Sequence, residues 1–221
     1  MNVIRISKDV ASRVVSEKHY SRRLGILWEA FGLVENDILI GVCCYGQPSA
    51  PIQKHAFTER DFRLYELTRL VVDRGAPKNS ASFLISTSLK MLKEQPCAIV
   101  SYADSAHGHS GIVYQATNWM YTGATKAHDC LYVVDGVRLH AMTIIDRFKV
   151  SDPGRWAKEN NIERVKPGEK HRYFTFSGSK TEKKRMQKRL KYPVIAAYPK
   201  SDKTLYEDGV ASSEILARDL V

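Results

Sequence analysis

The chain reads as an α/β (α+β) fold: one mixed central sheet flanked by helices. Three observations predict it. Short β-rich apolar runs alternate with segments that carry apolar residues at helical spacing. Two of the runs are joined by Glu35, Asn36 and Asp37, a hairpin signature. Hydrophobic residues make up 43% of 221 positions, enough for a substantial buried core.

The elements follow in order. Val3 to Ile6 is a short apolar strand, and Ser7 is placed to cap a helix running towards Lys18. Leu27 to Val34 and Ile38 to Tyr45 are the hairpin strands, followed by a loop with Pro48 and Pro51. Phe62 to Val72 is a strand rich in leucine and valine, ending in a turn-rich stretch from Asp73 to Ser80. Ala81 to Leu92 sets Phe83, Leu84, Leu89, Met91 and Leu92 at helical spacing. Ala98 to Tyr102 is a short apolar strand, Gly111 to Asn118 a helix and Trp119 to Gly123 a returning strand. Residues 1–150 are expected to form the core. Residues 151–221 are expected to extend the same domain, with a strand at Arg172 to Phe176, a basic segment from Lys180 to Lys191 and a weakly structured tail.

Composition narrows the function. Thirty-four Lys and Arg against 24 Asp and Glu give a net charge of +10, which favours an anionic partner. Lys180 to Lys191 holds a dense share of that charge, with Lys183, Lys184, Arg185, Lys188 and Arg189 as its phosphate-binding candidates. The expected partner is double-stranded DNA. No apolar run approaches bilayer-spanning length, and the start, MNVIRISKDV, lacks the pattern of a signal peptide, so no membrane partner and a cytoplasmic location are expected. Cys43, Cys44, Cys97 and Cys130 form no Cys-x-x-Cys pair; three of them lie in apolar strands and read as reduced core thiols, not a zinc site.

Two resemblances sharpen this reading. The order of elements resembles the GNAT acyltransferase fold, in which the loop before a helix grips a phosphate-bearing donor. Here Arg74, Lys78, Asn79 and Ser80 occupy that loop, but only Gly75 remains of the glycine-rich signature. More closely, Lys18 to Arg22, Tyr65 to Leu70, the long block YADSAHGHSGIVYQATNWMYTG (Tyr102 to Gly123) and, loosely, Lys188 to Val194 resemble the Mom family of phage DNA-modification proteins. That family converts adenine in duplex DNA to a carbamoylmethylated form and so protects phage DNA from restriction. The resemblance therefore implies an enzyme of the phage-infected bacterial cell that acts on the exocyclic amine of adenine.

The residues allow that chemistry. His19 and Tyr20 follow the first helix and precede Arg22 and Arg23, two further DNA-binding candidates. A histidine moves protons near neutral pH, and a tyrosine stacks on a base. Asp104 stands just past a strand end, where α/β sites gather, as acceptor for the adenine amine or as base. Tyr114 lies on the helix after that strand, where the GNAT resemblance implies a tyrosine general acid, with core packing the alternative. Arg69 interrupts an apolar strand and needs a partner, whether a phosphate, a carbonyl or Asp104; alternation puts Glu66 on the opposite face. Tyr20, Asn118 and Trp119 are the candidates for binding a base flipped from the duplex, with core packing the alternative for Trp119. His107 and His109 are weak metal candidates, with iron the metal the resemblance implies.

The donor is open between glycyl-tRNA and an acyl-CoA. Atom accounting favours the first: adenine bearing a glycyl group on its amine is an isomer of carbamoylmethyladenine, and the positive charge suits two nucleic acids, DNA and tRNA. Two other classes stand beside this one. An acyl-CoA-dependent acyltransferase acting on a small molecule or protein amine predicts activity without DNA. A non-catalytic nucleic-acid-binding protein predicts binding indifferent to loss of Asp104 or Tyr114.

Overall fold

The computed structural model describes residues 1–125, 131–166 and 168–200. Cys130 and the expected tail from residue 201 lie outside the described residues. The elements run β1 (Asn2–Arg5), α1 (Lys8–Lys18), β2 (Leu27–Glu35), β3 (Ile38–Gly46), α2 (Ala50–His55), β4 (Arg63–Val72), α3 (Ser80–Met91), β5 (Cys97–Asp104), a 3-10 turn (Ser105–His107), α4 (Ile112–Ala116) and β6 (Met120–Thr125). Then come β7 (Leu131–Val134), β8 (Val137–His140), α5 (Ala141–Phe148), α6 (Pro153–Glu159), β9 (Glu163–Val165), β10 (Lys170–Ser177) and α7 (Lys180–Arg189).

Among these residues the main sheet has the order β1-β2-β3-β4-β5-β10-β6. Every pairing in it is antiparallel except β4 with β5. It is the mixed sheet flanked by helices that the sequence predicts. β10, the strand expected at Arg172 to Phe176, stands inside the sheet, bonded to β5 and β6, so the main layer draws strands from both sides of residue 150. Between β6 and β10 the chain builds a smaller three-stranded sheet, β8-β7-β9, with α5 and α6 packed around Tyr132, Val134, Ile144 and Ala157. Nothing in the sequence pattern announces it.

Period-two alternation sorts the core. Phe31, Cys43, Tyr45 and Ile99 point to the face covered by α3 and α4, where Leu84, Ile85 and Tyr114 meet them. Ala30, Val42 and Cys44 point to the other face and pack on Val10, Val14 and Val15 of α1. On the same side Ala98, Val100 and Phe174 pack on Ile52 of α2 and Met186 of α7. Cys43, Cys44 and Cys97 are buried free thiols. Ser7 caps α1 by accepting from the Val10 amide, as expected. No helix of the described residues is long and apolar enough to cross a membrane.

One irregularity decides the geometry of the site. Tyr45 pairs with Leu67 and Cys44 with Arg69, so Thr68 is an extra residue, a β-bulge in β4. An extra residue reverses the alternation beyond it. Glu66 and Arg69 therefore share a face, correcting the expectation that they lie on opposite ones. Parallel pairing of β4 with β5 runs from Arg63 with Cys97 to Leu67 with Ser101 and stops there, at the bulge.

Candidate active site

Beyond Leu67 and Ser101 the two strands diverge, and a cleft of about 730 Å³ opens between them. Ser101 marks the fork. Its hydroxyl lies 2.8 Å from the Leu67 carbonyl oxygen and 2.8 Å from the Tyr114 hydroxyl. The cleft is lined by His19 and Tyr20 from the end of α1, Thr68 to Arg74 in part from β4 and its loop, and Tyr102 to Asp104 from β5. His107, His109 and Tyr114 from the following segment complete it.

Each side chain is positioned for a local reason. α1 ends at His19, whose amide donates to the Val15 carbonyl, and a tight turn follows in which the Arg22 amide donates to the His19 carbonyl. Lys18 at the last turn of α1 pairs with Asp73 at 2.8 Å, tying the helix end to the end of β4. Arg69 does not line the cleft. Its guanidinium donates to the carbonyl oxygens of Arg23 and Thr68, both at 2.6 Å, and so clamps the His19 turn onto the bulge. Of the three partners the sequence left open for Arg69, the structure supplies carbonyls.

After β5 the chain turns back on itself, with the His109 amide donating to the Asp104 carbonyl and the Gly108 amide to that of Ser105. Gly111 then starts α4 at φ +82°, and a Cβ there would stand 2.5 Å from the Tyr173 ring. Only glycine fits both demands. Tyr173 is sealed in the core and its hydroxyl donates to the Ser110 carbonyl, so it fixes this loop from beneath.

The histidines gather round one aromatic ring. Tyr20 lies 4.3 Å from His19 and 4.1 Å from His107, both tilted by about a third of a right angle, and 5.8 Å from His109. Burial raises the Tyr20 phenol above its ordinary pKa, and the nearby Asp104 carboxylate adds to the rise against Arg69. Burial, then Arg69, then His109 and His107 push His19 down to about 3. His19 is therefore neutral at neutral pH, which corrects the expectation of a histidine that exchanges its proton there. Its Nδ1 accepts from the Ser21 amide at 3.1 Å, so the ring proton sits on Nε2. His19 offers the cleft a hydrogen-bond donor. Burial also lowers His109, with His107 contributing and Asp104 opposing. Asp104 lies 3.8 Å from Lys170 of β10, its register partner. Burial holds the Tyr114 phenol above its ordinary value, so it stays protonated.

The metal candidates do not assemble a site. Among the described residues no group of three or more His, Cys, Asp or Glu side chains could hold an ion. His19 Nδ1 is already occupied by Ser21, and His107 lies against the Tyr20 ring. These residues do not fit an iron centre.

Other expected residues lie elsewhere. Trp119 has no exposed surface and packs on Tyr114, so it offers no face to a base; the core alternative holds. Asn118 is an exposed turn residue at φ +58°, outside the cleft lining. Of the donor loop only Arg74 lines the cleft: Lys78 and Asn79 are exposed, and buried Ser80 donates its hydroxyl to Pro77. Arg22 is exposed, and Arg23 reaches across to Thr143 of α5 at 2.7 Å. On α7, Lys183, Lys184 and Lys188 are exposed, whereas Arg185 and Arg189 pair with Asp61 at 3.3 and 2.6 Å.

Glu66, beside the cleft but outside its lining, is a titratable group that sequence reasoning set on the wrong face. Burial raises its carboxyl to about 7, against the Ser49 amide, Arg69 and Lys170, which favour the charged form. The bulge brings it behind the cleft, and no pattern in the sequence marks a bulge there.

Comparison with known proteins completes the description. The model of the Mom protein family matches residues 1–200. Methylcarbamoylase mom of Escherichia phage Mu is 30% identical over 207 residues, covering 90% of this chain and 84% of that protein. Solved structures include a GNAT-family acetyltransferase from Bacillus cereus, aligned over 80% of this chain and 98% of its own at 14% identity and a TM-score of 0.42. Another, from Elizabethkingia anophelis with acetyl-CoA bound, aligns over 77% of this chain and 84% of its own at 12% identity and a TM-score of 0.37.

Proposed function

Because this chain belongs to the Mom protein family, we propose that it is a transferase that modifies the exocyclic amine of adenine in duplex DNA, giving the carbamoylmethylated base. The observation that carries the reading is the cleft at the β4–β5 fork, where Tyr20, Asp104, neutral His19 and Tyr114 line one space. An adenine stacked in a duplex cannot reach such a space, so the base is extruded. Its ring stacks on Tyr20, in the position His107 holds, and Asp104 accepts a hydrogen bond from the amine. Loss of the amine proton to Asp104 makes the nitrogen nucleophilic. His19 Nε2–H then donates to the carbonyl oxygen that gains charge as the donor is attacked.

For the donor we favour glycyl-tRNA. The amine nitrogen bonds the glycyl carbonyl, the ester C–O bond breaks, and the tRNA hydroxyl leaves with the proton. The glycyl amine then attacks the ring carbon bearing the original nitrogen, which departs as the terminal amide, so the product is an isomer of the first adduct. The donor loop presents Arg74 to the cleft and lacks most of the glycines of a pyrophosphate cradle. Protection of phage DNA from restriction follows if the modified base blocks cleavage.

Mass analysis of nucleosides from DNA of cells expressing the protein tests the reading. A deoxyadenosine heavier by a carbamoylmethyl substitution is expected; unmodified nucleosides from soluble, well-expressed protein overturn it. Purified protein with DNA and glycyl-tRNA carrying nitrogen-15 should place the label on the ring-bound nitrogen. Label in the terminal amide excludes the rearrangement, and transfer only from an acyl-CoA excludes the tRNA donor.

A further inference from the structure

A second large cavity, about 760 Å³, lies at the opposite end of β4. Trp28, Gln53, Arg60, Arg63 and Gln95 line it, and it shares no lining residue with the cleft. Arg63 and Leu64 at the start of β4 line this cavity, and Leu67 to Val72 line the cleft in part, so the two spaces occupy opposite halves of the strand.

Its chemistry is specific. The Arg63 guanidinium lies over the Trp28 ring at 3.8 Å from the centroid, and Tyr65 meets Trp28 edge-on at 5.5 Å. Arg63 Nε stands 3.5 Å from Glu94 but is buried without a hydrogen-bond partner among the described residues. The Arg63 side chain as a whole is 38% exposed, so its other N–H groups are open to an arriving acceptor. Gln53 and Gln95 give their amide N–H groups to the Pro48 and Leu89 carbonyls at 2.7 and 2.9 Å, which orients both side chains and leaves their oxygens as acceptors. Asp61, also in the lining, is the residue that holds Arg185 and Arg189, so the basic helix α7 is moored to this cavity with Lys183, Lys184 and Lys188 exposed beside it.

A stacked cation–aromatic pair, oriented amide acceptors and a flanking row of lysines match one ligand chemistry. A nucleobase supplies a flat face and exocyclic amines, and its chain supplies phosphates. A duplex does not fit, because its base faces are already stacked. We infer that this cavity binds an unpaired nucleotide of a single nucleic-acid strand that runs along α7, at a site separate from the cleft. The site gives the protein a hold on a second strand while the cleft is engaged with its base.

Binding reads the inference without turnover, so it stands apart from the modification reading. Fluorescence anisotropy of labelled ten-nucleotide single strands, one RNA and one DNA, and of the matching duplex, is measured with the wild type. The same is done with Trp28→Phe, an Arg60→Gln/Arg63→Gln double variant and Tyr20→Ala. The double variant is expected to bind at least one of the single strands about tenfold more weakly, with duplex affinity changed less than about twofold, the loss expected when one base loses its stacking partner. Trp28→Phe keeps an aromatic ring and should lose less, with an unchanged melting temperature. A stronger effect on RNA than on DNA, or the reverse, identifies the strand. Single-strand binding unchanged in the double variant, or lost only with Tyr20→Ala, places the strand in the cleft and overturns the inference.

Discussion

The two ends of β4 are built on opposite electrostatic plans. At the cleft end the charges are few and compensated. His19 is held neutral, Arg69 is spent on backbone carbonyls and Asp104 faces Lys170. At the other end the charge is denser and faces water: α7 carries exposed Lys183, Lys184 and Lys188, beside exposed Arg60, while half-buried Arg63 pairs with Glu94. Partial burial makes an individual hydrogen bond strong and selective, whereas exposed lysines give long-range attraction that salt screens. On the proposed reading one end handles a base and the other holds a polyanion, and the two are expected to break independently.

The largest expected effect is at the cleft. Asp104→Asn keeps the size of the side chain and removes its proton-accepting oxygen. Modification should fall by about 10²- to 10⁴-fold with duplex affinity intact. Tyr114→Phe removes the hydroxyl that meets Ser101 at the fork and should reduce the rate less severely. Nucleoside mass analysis reads the rate and anisotropy the affinity; a loss of both together breaks the separation.

The complementary experiment is on α7. Changing Lys183, Lys184 and Lys188 to Gln should lower the slope of log K against log salt by up to about 0.7 for each single-strand phosphate, or about 0.9 for each duplex phosphate, that is no longer neutralised. Arg185→Gln and Arg189→Gln should flatten the slope less, because these side chains are already paired with Asp61. An equal effect of the arginines would show that the Asp61 pairs open when nucleic acid binds.

Gly111→Ala should act through structure. The added Cβ meets the Tyr173 ring and forces a strained φ on the loop that carries His107 and His109. A loss of about 1–3 kcal/mol in stability, read by denaturant unfolding, is expected. An unchanged midpoint would mean that Tyr173 gives way.

Much of this arrangement was legible in the sequence. The Ser7 cap, the β2–β3 hairpin and the apolar strand before Asp104 follow from local rules that the structure obeys. His19, Tyr20, Asp104, His107, His109 and Tyr114 converge on one cleft because strand ends and the loops that follow them gather on one edge of a sheet. The illegible parts are those that local rules cannot reach. β10 joins β5 across some 70 residues of chain, and β7, β8 and β9 are only 3 or 4 residues long, too short for periodicity to register. Trp119 misled because an aromatic beside a site and an aromatic beneath it look alike in sequence; only the zero exposure separates them. The Thr68 bulge is the most instructive miss, since one unpaired residue turned the correct alternation rule into the wrong face for Glu66.

Glu66 gives the smallest and most discriminating effect. Its carboxyl is raised to about 7 in the folded chain by burial, from 4.5 when free. Between those values the folded state binds more protons than the unfolded one. The contribution of Glu66 to stability is therefore present below about 4.5 and declines as pH rises towards 7. Glu66→Gln keeps an oxygen for the Ser49 amide and cannot ionise. Relative to the wild type, the variant should gain stability between pH 5 and pH 8, by about 1–2 kcal/mol. His19 works in the opposite direction, because its depressed value makes the folded chain bind fewer protons than the unfolded one between about 3 and 6.5, so its contribution is lost as pH falls through that range. The two slopes partly cancel in the wild type, and substitution of Glu66 should expose the slope that His19 sets below about 6.5 together with His109 and His171, which burial also lowers. Denaturant midpoints measured at half-unit steps of pH on both proteins decide the matter. A difference between variant and wild type that does not change with pH would mean that Arg69 and Lys170 keep Glu66 ionised throughout, and the back of the cleft would then be as charged as the α7 end.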